Sequence, residues 1–239
     1  MKFMEFIGWF PFAVMHGHNP LMNDYVNLPS GSNMMWDTTV PLVSLLLWPI
    51  TALGGAILTW NVAITCGLAL DGWCTYLWLR RRTSSAWPAL AGALFVELGP
   101  YATTRAHSHL NLLLFFPLPL LLILLERSLE GISKRRDGIA AGLLAGVQLL
   151  LCEELLAIVA VAVTATLALG AIMYRRWAAV CIRRLISLAP AAVASAGIVA
   201  GVPLFYQFFG PGRIIGPIQP PGVYATDVTN LLVPGHIQP

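Results

Sequence analysis

The chain has 239 residues, of which 57% are hydrophobic and only 10% are charged, and its formal net charge is +3. A soluble domain carries roughly 25% charged residues, so this composition excludes a water-soluble globular protein. It predicts a membrane protein with lipid as its main solvent, and the small net charge gives no reason to expect nucleic acid as a partner.

The first apolar stretch, residues 1–15, is rich in aromatic residues, but Pro11 interrupts it. It is shorter than the ~20 residues that a transmembrane helix needs, and we expect an interfacial helix. After a polar loop, residues 41–53 form a second short apolar piece, which contains Pro49 and is predicted to be interfacial or re-entrant. Residues 1–55 are therefore predicted to form an outer loop that carries interfacial helices.

Apolar segments continue through residues 56–209, and they predict an all-α, polytopic transmembrane helical bundle of about six spans. The predicted spans are residues 56–79, 86–99, 110–125, 138–152, 155–174 and 185–209. Residues 210–239 are rich in Pro and Gly. We expect them to form an outer tail that leads into a further C-terminal region.

Basic residues gather at alternate ends of these spans. Lys and Arg mark the cytoplasmic ends of transmembrane helices. If residues 80–82 are cytoplasmic, alternation places the clusters at 127–136 and 175–184 on the same side, and eleven of the 14 Lys and Arg residues are then inside. The prediction is an integral plasma-membrane protein whose polar loops and both ends are extracytoplasmic.

The polar loop at residues 16–40 holds Asp24 and Asp37, either of which could act as a general base or bind a cation. His16 and His18 are predicted to position a substrate. They are alternate residues, so on a strand both would face one way, but a metal site needs more ligands than this spacing supplies. An ordinary extramembrane connection is the other interpretation. The length of the loop favours function.

Further along, Arg105 is a rare basic residue on the predicted outer side, with His107 and His109 close by. A guanidinium grips a phosphate through paired hydrogen bonds, so we predict that these three residues bind phosphate. An arginine that only reaches lipid headgroups is the alternative.

Carboxylates also lie at predicted span ends. Glu97, Glu153 and Glu154 would be costly there unless they are paired or used, so they are predicted to position a substrate or to form structural ion pairs. Arg105 is the expected partner, and a histidine is the second choice. For Asp71, inside the first span, we expect a helix-to-helix hydrogen bond.

A set of motifs runs along nearly the whole chain. Those in the first part are Trp9-Phe-Pro-Phe, His16-Gly-His-Asn-Pro20, Asn27-Leu-Pro-Ser-Gly-Ser-Asn33, Trp36-Asp37-Thr-Thr-Val-Pro41 and Pro49-Ile-Thr. Those further along are Pro100-Tyr101, His109-Leu-Asn111, Glu153-Glu154, Phe208-Phe-Gly-Pro-Gly-Arg213 and Val223-Tyr-Ala-Thr-Asp227. With these motifs the chain resembles an actinobacterial family of polytopic proteins. That family is similar to the GT-C-fold glycosyltransferases, which take sugar from polyprenyl-phosphate carriers outside the membrane.

The resemblance implies a membrane glycosyltransferase with a polyprenyl-phosphate-linked sugar donor. It implies an aspartate base in the first outer loop and a Gly-Asp-Pro motif just before the position of Met1, which this sequence lacks. The expectation is therefore an N-terminal portion of an enzyme without its first helix. Asp24 or Asp37 would activate the acceptor, and no cofactor is expected, although a divalent cation is left open. The alternative is a non-catalytic membrane protein, either a transporter or an assembly subunit.

Overall fold

A computed structural model describes residues 2–37 and 39–216, and almost all of the regular structure in them is helical, which confirms the predicted all-α helical bundle. The helices, in chain order, are α1 (Lys2–Met15), α2 (Pro41–Leu46), α3 (Trp48–Arg80), α4 (Ala86–Glu97), α5 (Pro100–Ser108), α6 (Leu110–Leu113), α7 (Pro117–Glu130), α8 (Arg135–Leu151), α9 (Glu153–Met173) and α10 (Arg175–Phe209). A short antiparallel pair, β1 (Met22–Asn23) and β2 (Ser32–Asn33), lies inside the first polar loop. The tail motif at residues 223–227 lies outside the described residues.

Four helical segments are long and apolar enough to cross a membrane: Trp48–Arg80, Leu110–Glu130, Glu153–Met173 and Arg175–Phe209. A segment of ~20 apolar residues matches the thickness of the hydrocarbon core of a bilayer. The protein is therefore a membrane protein. The helices α1 and α4 are apolar but shorter.

Two helix boundaries differ from the predicted ones. The helix α3 begins at Trp48, so the short apolar piece and the first span are joined across a kink at Gly55, where φ is 77°. Such a positive φ is readily adopted only by glycine. The helix α10 begins at Arg175 and so includes the basic residues 175–184, because arginine is a good helix former.

The third predicted span is broken between α6 and α7, where Pro117 removes a backbone donor. Two side chains from other helices bind the backbone groups that the break frees. The Phe115 N–H donates to Asp71 Oδ1 at 3.0 Å, and Gln148 Nε2 donates to the Leu114 carbonyl at 3.4 Å. Asp71 therefore binds the backbone of the break, whereas a helix-to-helix hydrogen bond was predicted for it.

The helices α8 and α10 pack closely along their length. Gly138, Gly142 and Gly146 form a stripe on α8, and a Cβ at any of them would meet α10. Small residues spaced four apart allow such close backbone approach in membrane helices. The Ser195 hydroxyl also donates to the Ile139 carbonyl at 3.0 Å. The glycine stripe and this hydrogen bond hold α8 against α10.

At one end of the bundle the predicted basic segments meet. Arg82 pairs with Glu126, Arg127 pairs with Asp137 at 3.1 Å, and Arg184 donates to the Leu129 carbonyl. We call this the basic end. The opposite end, where α8 ends, α9 begins and α10 ends, is called the loop end, because the first polar loop packs there.

Candidate functional site

A cavity of about 280 Å³ opens at the loop end. Several separate parts of the chain line it, including the first loop, α6, the α8–α9 junction and the end of α10. Its main polar residues are Trp36, Asp37, Asn111, Glu153, Glu154 and Gln207. We call it the loop-end cavity. It brings together Asp37, Glu153 and Glu154, which the sequence predicted separately.

The first loop is attached to the end of α10 by side-chain donors. Asn33 Nδ2 donates to the Tyr206 and Pro211 carbonyls at 3.3 and 2.9 Å, and Trp36 Nε1 donates to the Gln207 carbonyl at 2.7 Å. The last four carbonyls of a helix have no partner within the helix, and α10 ends at Phe209. The Gln207 carbonyl thus finds its donor in the loop, and the Tyr206 carbonyl, which also accepts from the Gly210 N–H at 2.8 Å, gains a second donor. These bonds place Asp37 at the cavity.

Asp37 is partly buried, and the Ser32 hydroxyl donates to its Oδ2 at 3.0 Å. This hydrogen bond ties the carboxylate to β2 on its own loop. A carboxylate held in this way at the edge of a cavity is a suitable proton acceptor for a bound hydroxyl group.

The junction between α8 and α9 forms one wall of the cavity. Glu153 and Glu154 occupy the first turn of α9, where the helix dipole favours negative charge. Gln207 Nε2 donates to Glu153 Oε2 at 3.2 Å. Asn111 makes a weaker contact from its Nδ2 to Cys152 Sγ at 3.8 Å.

Two acceptor atoms in this wall have no hydrogen-bond partner within the described part of the chain. They are Asn111 Oδ1 and Gln207 Oε1, and both side chains are almost fully buried, at 5% and 4% exposure. A buried acceptor without a partner costs about 1–3 kcal/mol. Both residues line the cavity, so a ligand there could supply the missing donors.

The predicted phosphate-binding residues lie on or next to α5, beside the cavity wall rather than in it. Tyr101 connects the two regions, because its hydroxyl donates to the Leu112 carbonyl at 3.0 Å while the Arg105 guanidinium lies 5.6 Å from its ring. Partial burial raises the pKa of Tyr101. The charge of Arg105 opposes this rise and that of Glu154 adds to it. The pKa of Tyr101 is therefore affected both by Arg105 and by Glu154, which lines the cavity.

The two histidines near Arg105 contact groups close by in sequence. The Nδ1 atom of His107 lies 2.8 Å from the Thr103 carbonyl, and that of His109 lies 2.7 Å from the Ser108 hydroxyl. Both side chains are exposed. The structure therefore places them on the surface of the α5 region, outside the cavity lining.

The other predicted site residues of the first loop also lie outside the cavity. Asp24 is exposed. His16 stacks on Phe12 at a centroid distance of 4.2 Å, and His18 Nε2 lies 3.4 Å from the Tyr25 hydroxyl. The histidines thus belong to an aromatic cluster beside α1.

Glu97 ends α4 and packs beside Gly72 of α3. It lies at the edge of an apolar groove of about 470 Å³ between these helices. Neither of its carboxyl oxygens has a hydrogen-bond partner among residues 2–37 and 39–216. The expected ion pair with Arg105 is therefore wrong, since the two side chains face different surroundings.

Sequence reasoning assigned no role to Gln207 or Asn111. Gln207 is an amide in an otherwise apolar helix end, a pattern that is equally typical of a helix-to-helix hydrogen bond. As for metals, the described ranges contain no group of three or more His, Cys, Asp or Glu residues that could hold an ion.

Comparisons with known proteins give a family but no function. No curated protein and no solved structure matches the chain. A family model described as "Domain of unknown function (DUF6311)" matches residues 3–238, which is nearly the entire sequence. The chain therefore belongs to the DUF6311 family.

Proposed function

We propose that this protein is a membrane glycosyltransferase that takes a sugar from a polyprenyl-phosphate carrier and transfers it to an acceptor at the extracytoplasmic face. The observation that carries the proposal is the loop-end cavity, where Asp37 meets Glu153 and Glu154. Carboxylates and amides beside an indole ring form a polar surface suited to hydroxyl-rich ligands. The resemblance of the motifs to GT-C-type enzymes points the same way.

In the proposed reaction, Asp37 acts as the general base. Its carboxylate takes the proton of an acceptor hydroxyl, whose oxygen attacks the anomeric carbon of the donor sugar. A bond forms between that carbon and the acceptor oxygen, and the bond to the phosphate oxygen breaks. Polyprenyl phosphate leaves with the electron pair.

Arg105 is the proposed phosphate ligand. It lies beside the cavity wall, with its guanidinium near the Tyr101 ring. A fixed cation close to the leaving group stabilises the negative charge that develops on the phosphate. His107 and His109 are exposed on the same segment, where they can contribute further donors. Glu153 and Glu154 would hold the hydroxyl groups of the sugar.

The test is release of polyprenyl phosphate by the full-length protein in proteoliposomes. The assay supplies polyprenyl-phosphate-linked pentoses and hexoses together with cell-envelope glycan as acceptor. Asp37→Asn is expected to lower the rate about 10²–10⁴-fold. Asp24→Asn is the matched comparison, because Asp24 is also a loop aspartate but lies exposed outside the cavity; its rate should stay near that of the unmodified protein.

Two results would count against the assigned roles. Full activity of Arg105→Ala would show that Arg105 does not bind the phosphate. Loss of activity in Asp24→Asn alone would show that the general base lies outside the cavity. If no donor leads to release of polyprenyl phosphate, the proposed transferase function is wrong.

A transporter is the second candidate function, and the broken α6–α7 segment favours it. Interrupted helices whose backbone groups meet polar side chains inside the membrane are typical of transporters, and Asp71 and Gln148 bind this break. Proteoliposomes with an enclosed pH-sensitive dye would distinguish the two functions. A transporter of this kind would dissipate an imposed pH gradient and would lose this activity in Asp71→Asn, whereas the proposed transferase would not change the gradient.

A further inference from the structure

The loop-end cavity offers hydrogen-bond acceptors and has almost no free donors. Trp36 Nε1 is used by the Gln207 carbonyl, and the Thr39 hydroxyl donates to the Met34 carbonyl at 2.7 Å. No Lys, Arg or His side chain is among the lining residues in the part of the chain that the structure describes. The remaining polar side-chain atoms are carboxylate and amide oxygens, together with the second N–H of the Asn111 and Gln207 amides.

The orientation of Gln207 follows from its neighbour. A carboxylate oxygen only accepts hydrogen bonds, so the Gln207 atom 3.2 Å from Glu153 Oε2 must be the amide nitrogen. The amide oxygen is therefore the atom left without a partner. Glu153 thus fixes the orientation of the Gln207 amide, whose residue lines the cavity.

The charge of the cavity selects against anions. Asp37, Glu153 and Glu154 line it, and a negatively charged group held among them would be repelled by each. A phosphate would also find no Lys, Arg or His side chain among the lining residues that the structure describes. A ligand that carries several hydroxyl groups and no negative charge can donate to the carboxylates and to the Asn111 and Gln207 amide oxygens without being repelled.

A metal ion fits the arrangement less well than an organic ligand. Within residues 2–37 and 39–216, no three His, Cys, Asp or Glu side chains lie close enough together to hold an ion. The three carboxylates of the cavity therefore do not form a metal site. A cavity of about 280 Å³ with acceptors on several walls suits a larger molecule whose donors are spread in the same way.

We propose that the loop-end cavity binds a neutral or cationic sugar and excludes acidic sugars and phosphate, with the Gln207 amide oxygen as a specificity-determining acceptor. The inference rests on the proposed function, for which it names the class of sugar. It places the phosphate of the donor outside the cavity, on the side of Arg105.

The test is saturation-transfer NMR at neutral pH on the full chain in nanodiscs, with glucose, glucosamine and glucuronate as matched probes. Glucose and glucosamine should bind at millimolar concentration, and glucuronate should bind at least about tenfold more weakly. Mg²⁺ and inorganic phosphate are tested separately by calorimetry.

Two variants locate the effect. Glu154 is exposed, so Glu154→Gln should fold normally and should reduce the preference of glucose over glucuronate. Gln207→Leu should weaken glucose binding. Glu130→Gln is the matched control, because Glu130 is an exposed glutamate at the far end of α7, and its preference should equal that of the unmodified chain.

Equal binding of glucose and glucuronate would overturn the proposal, as would binding of Mg²⁺ or phosphate without any neutral sugar, or no binding of any sugar. An unchanged preference in Glu154→Gln would also contradict it. These binding measurements do not require transfer. If glucose binds selectively but polyprenyl phosphate is never released, the proposed transferase function is wrong, while the proposed sugar selectivity of the cavity is supported. If transfer occurs equally well with acidic sugars, the selectivity alone fails.

Discussion

The two ends of the bundle treat their polar side chains in opposite ways. At the basic end, Arg82 pairs with Glu126 and Arg127 with Asp137, so charges meet charges within the chain. At the loop end, Asn111 and Gln207 keep oxygens without partners beside the carboxylates of the cavity. A buried acceptor without a partner within residues 2–37 and 39–216 is open to a ligand where its residue lines a cavity, as Asn111 and Gln207 do.

Residue type alone does not show which of these two surroundings a polar side chain has. Asp137 and Asp37 are both aspartates near helix ends. Asp137 accepts from the Lys134 backbone N–H at 2.8 Å and from Arg127, while Asp37 accepts from Ser32 and also lines a cavity. Substitutions at the basic end should therefore change stability, and substitutions at the loop-end cavity should mainly change binding.

The largest effect on stability is expected between the two ends, where α8 crosses α10. A side chain at Gly142 would clash with the Ala192 carbonyl and the Ser195 hydroxyl, and a backbone carbonyl cannot move aside easily. Gly142→Leu should destabilise the fold by about 3 kcal/mol or more, measured by thermal unfolding in detergent. Gly197→Leu on α10 is the control, because a Cβ there has open space around it. Equal stability of the two variants would show that the close contact between α8 and α10 does not stabilise the fold.

The next largest effect is expected at the break between α6 and α7. Asp71→Ala removes the acceptor of the Phe115 N–H and should cost about 2 kcal/mol, because the donor is left unpaired in apolar surroundings. Asp71→Asn keeps an oxygen in the same place and should lose much less. If both variants unfold at the same temperature, the hydrogen bond does not hold the break.

A smaller effect that depends on pH is expected for Asp137. The Lys134 backbone N–H, followed by the Arg127 guanidinium, lowers the pKa of this carboxyl group. A carboxylate with a lowered folded pKa adds stability above its unfolded pKa of about 3.9, and this contribution is lost as the pH falls through the folded value. Asp137→Asn should therefore cost about 1 kcal/mol at neutral pH, and the difference from the unmodified protein should shrink below about pH 4. Melting curves from pH 3 upward, a range set by these values, measure this. A difference that grows on acidification would contradict the assignment.

The smallest effect is expected for Arg82. Its ion pair with Glu126 is on the surface, where solvent screens the charges and the ordering of a long side chain opposes the gain. Arg82→Ala should leave the melting temperature unchanged within error. A clear loss would mean that the basic end depends on this pair and would weaken the contrast with the buried Arg127–Asp137 contact.

Particular residues show how far the sequence alone reaches. The charges of Glu153 and Glu154 at the start of an apolar helix predicted a polar site at that helix end, and both line the cavity. The sequence also suggested Arg105 as a partner for Glu97, yet Glu97 lies against α3. Distance along the chain does not tell which helix faces which, so pairing between spans could not be predicted.

The sequence by itself determined that the protein is an all-α membrane protein, because only helices satisfy the backbone of such apolar segments in lipid. It also determined that polar residues gather in a few loops, since lipid excludes them. The tertiary structure decided which of these residues meet. Gln207 reaches Glu153, and Trp36 reaches the end of α10. The glycine contact between α8 and α10, together with the hydrogen bonds from the first loop to the carbonyls at the end of α10, brings together residues more than a hundred positions apart.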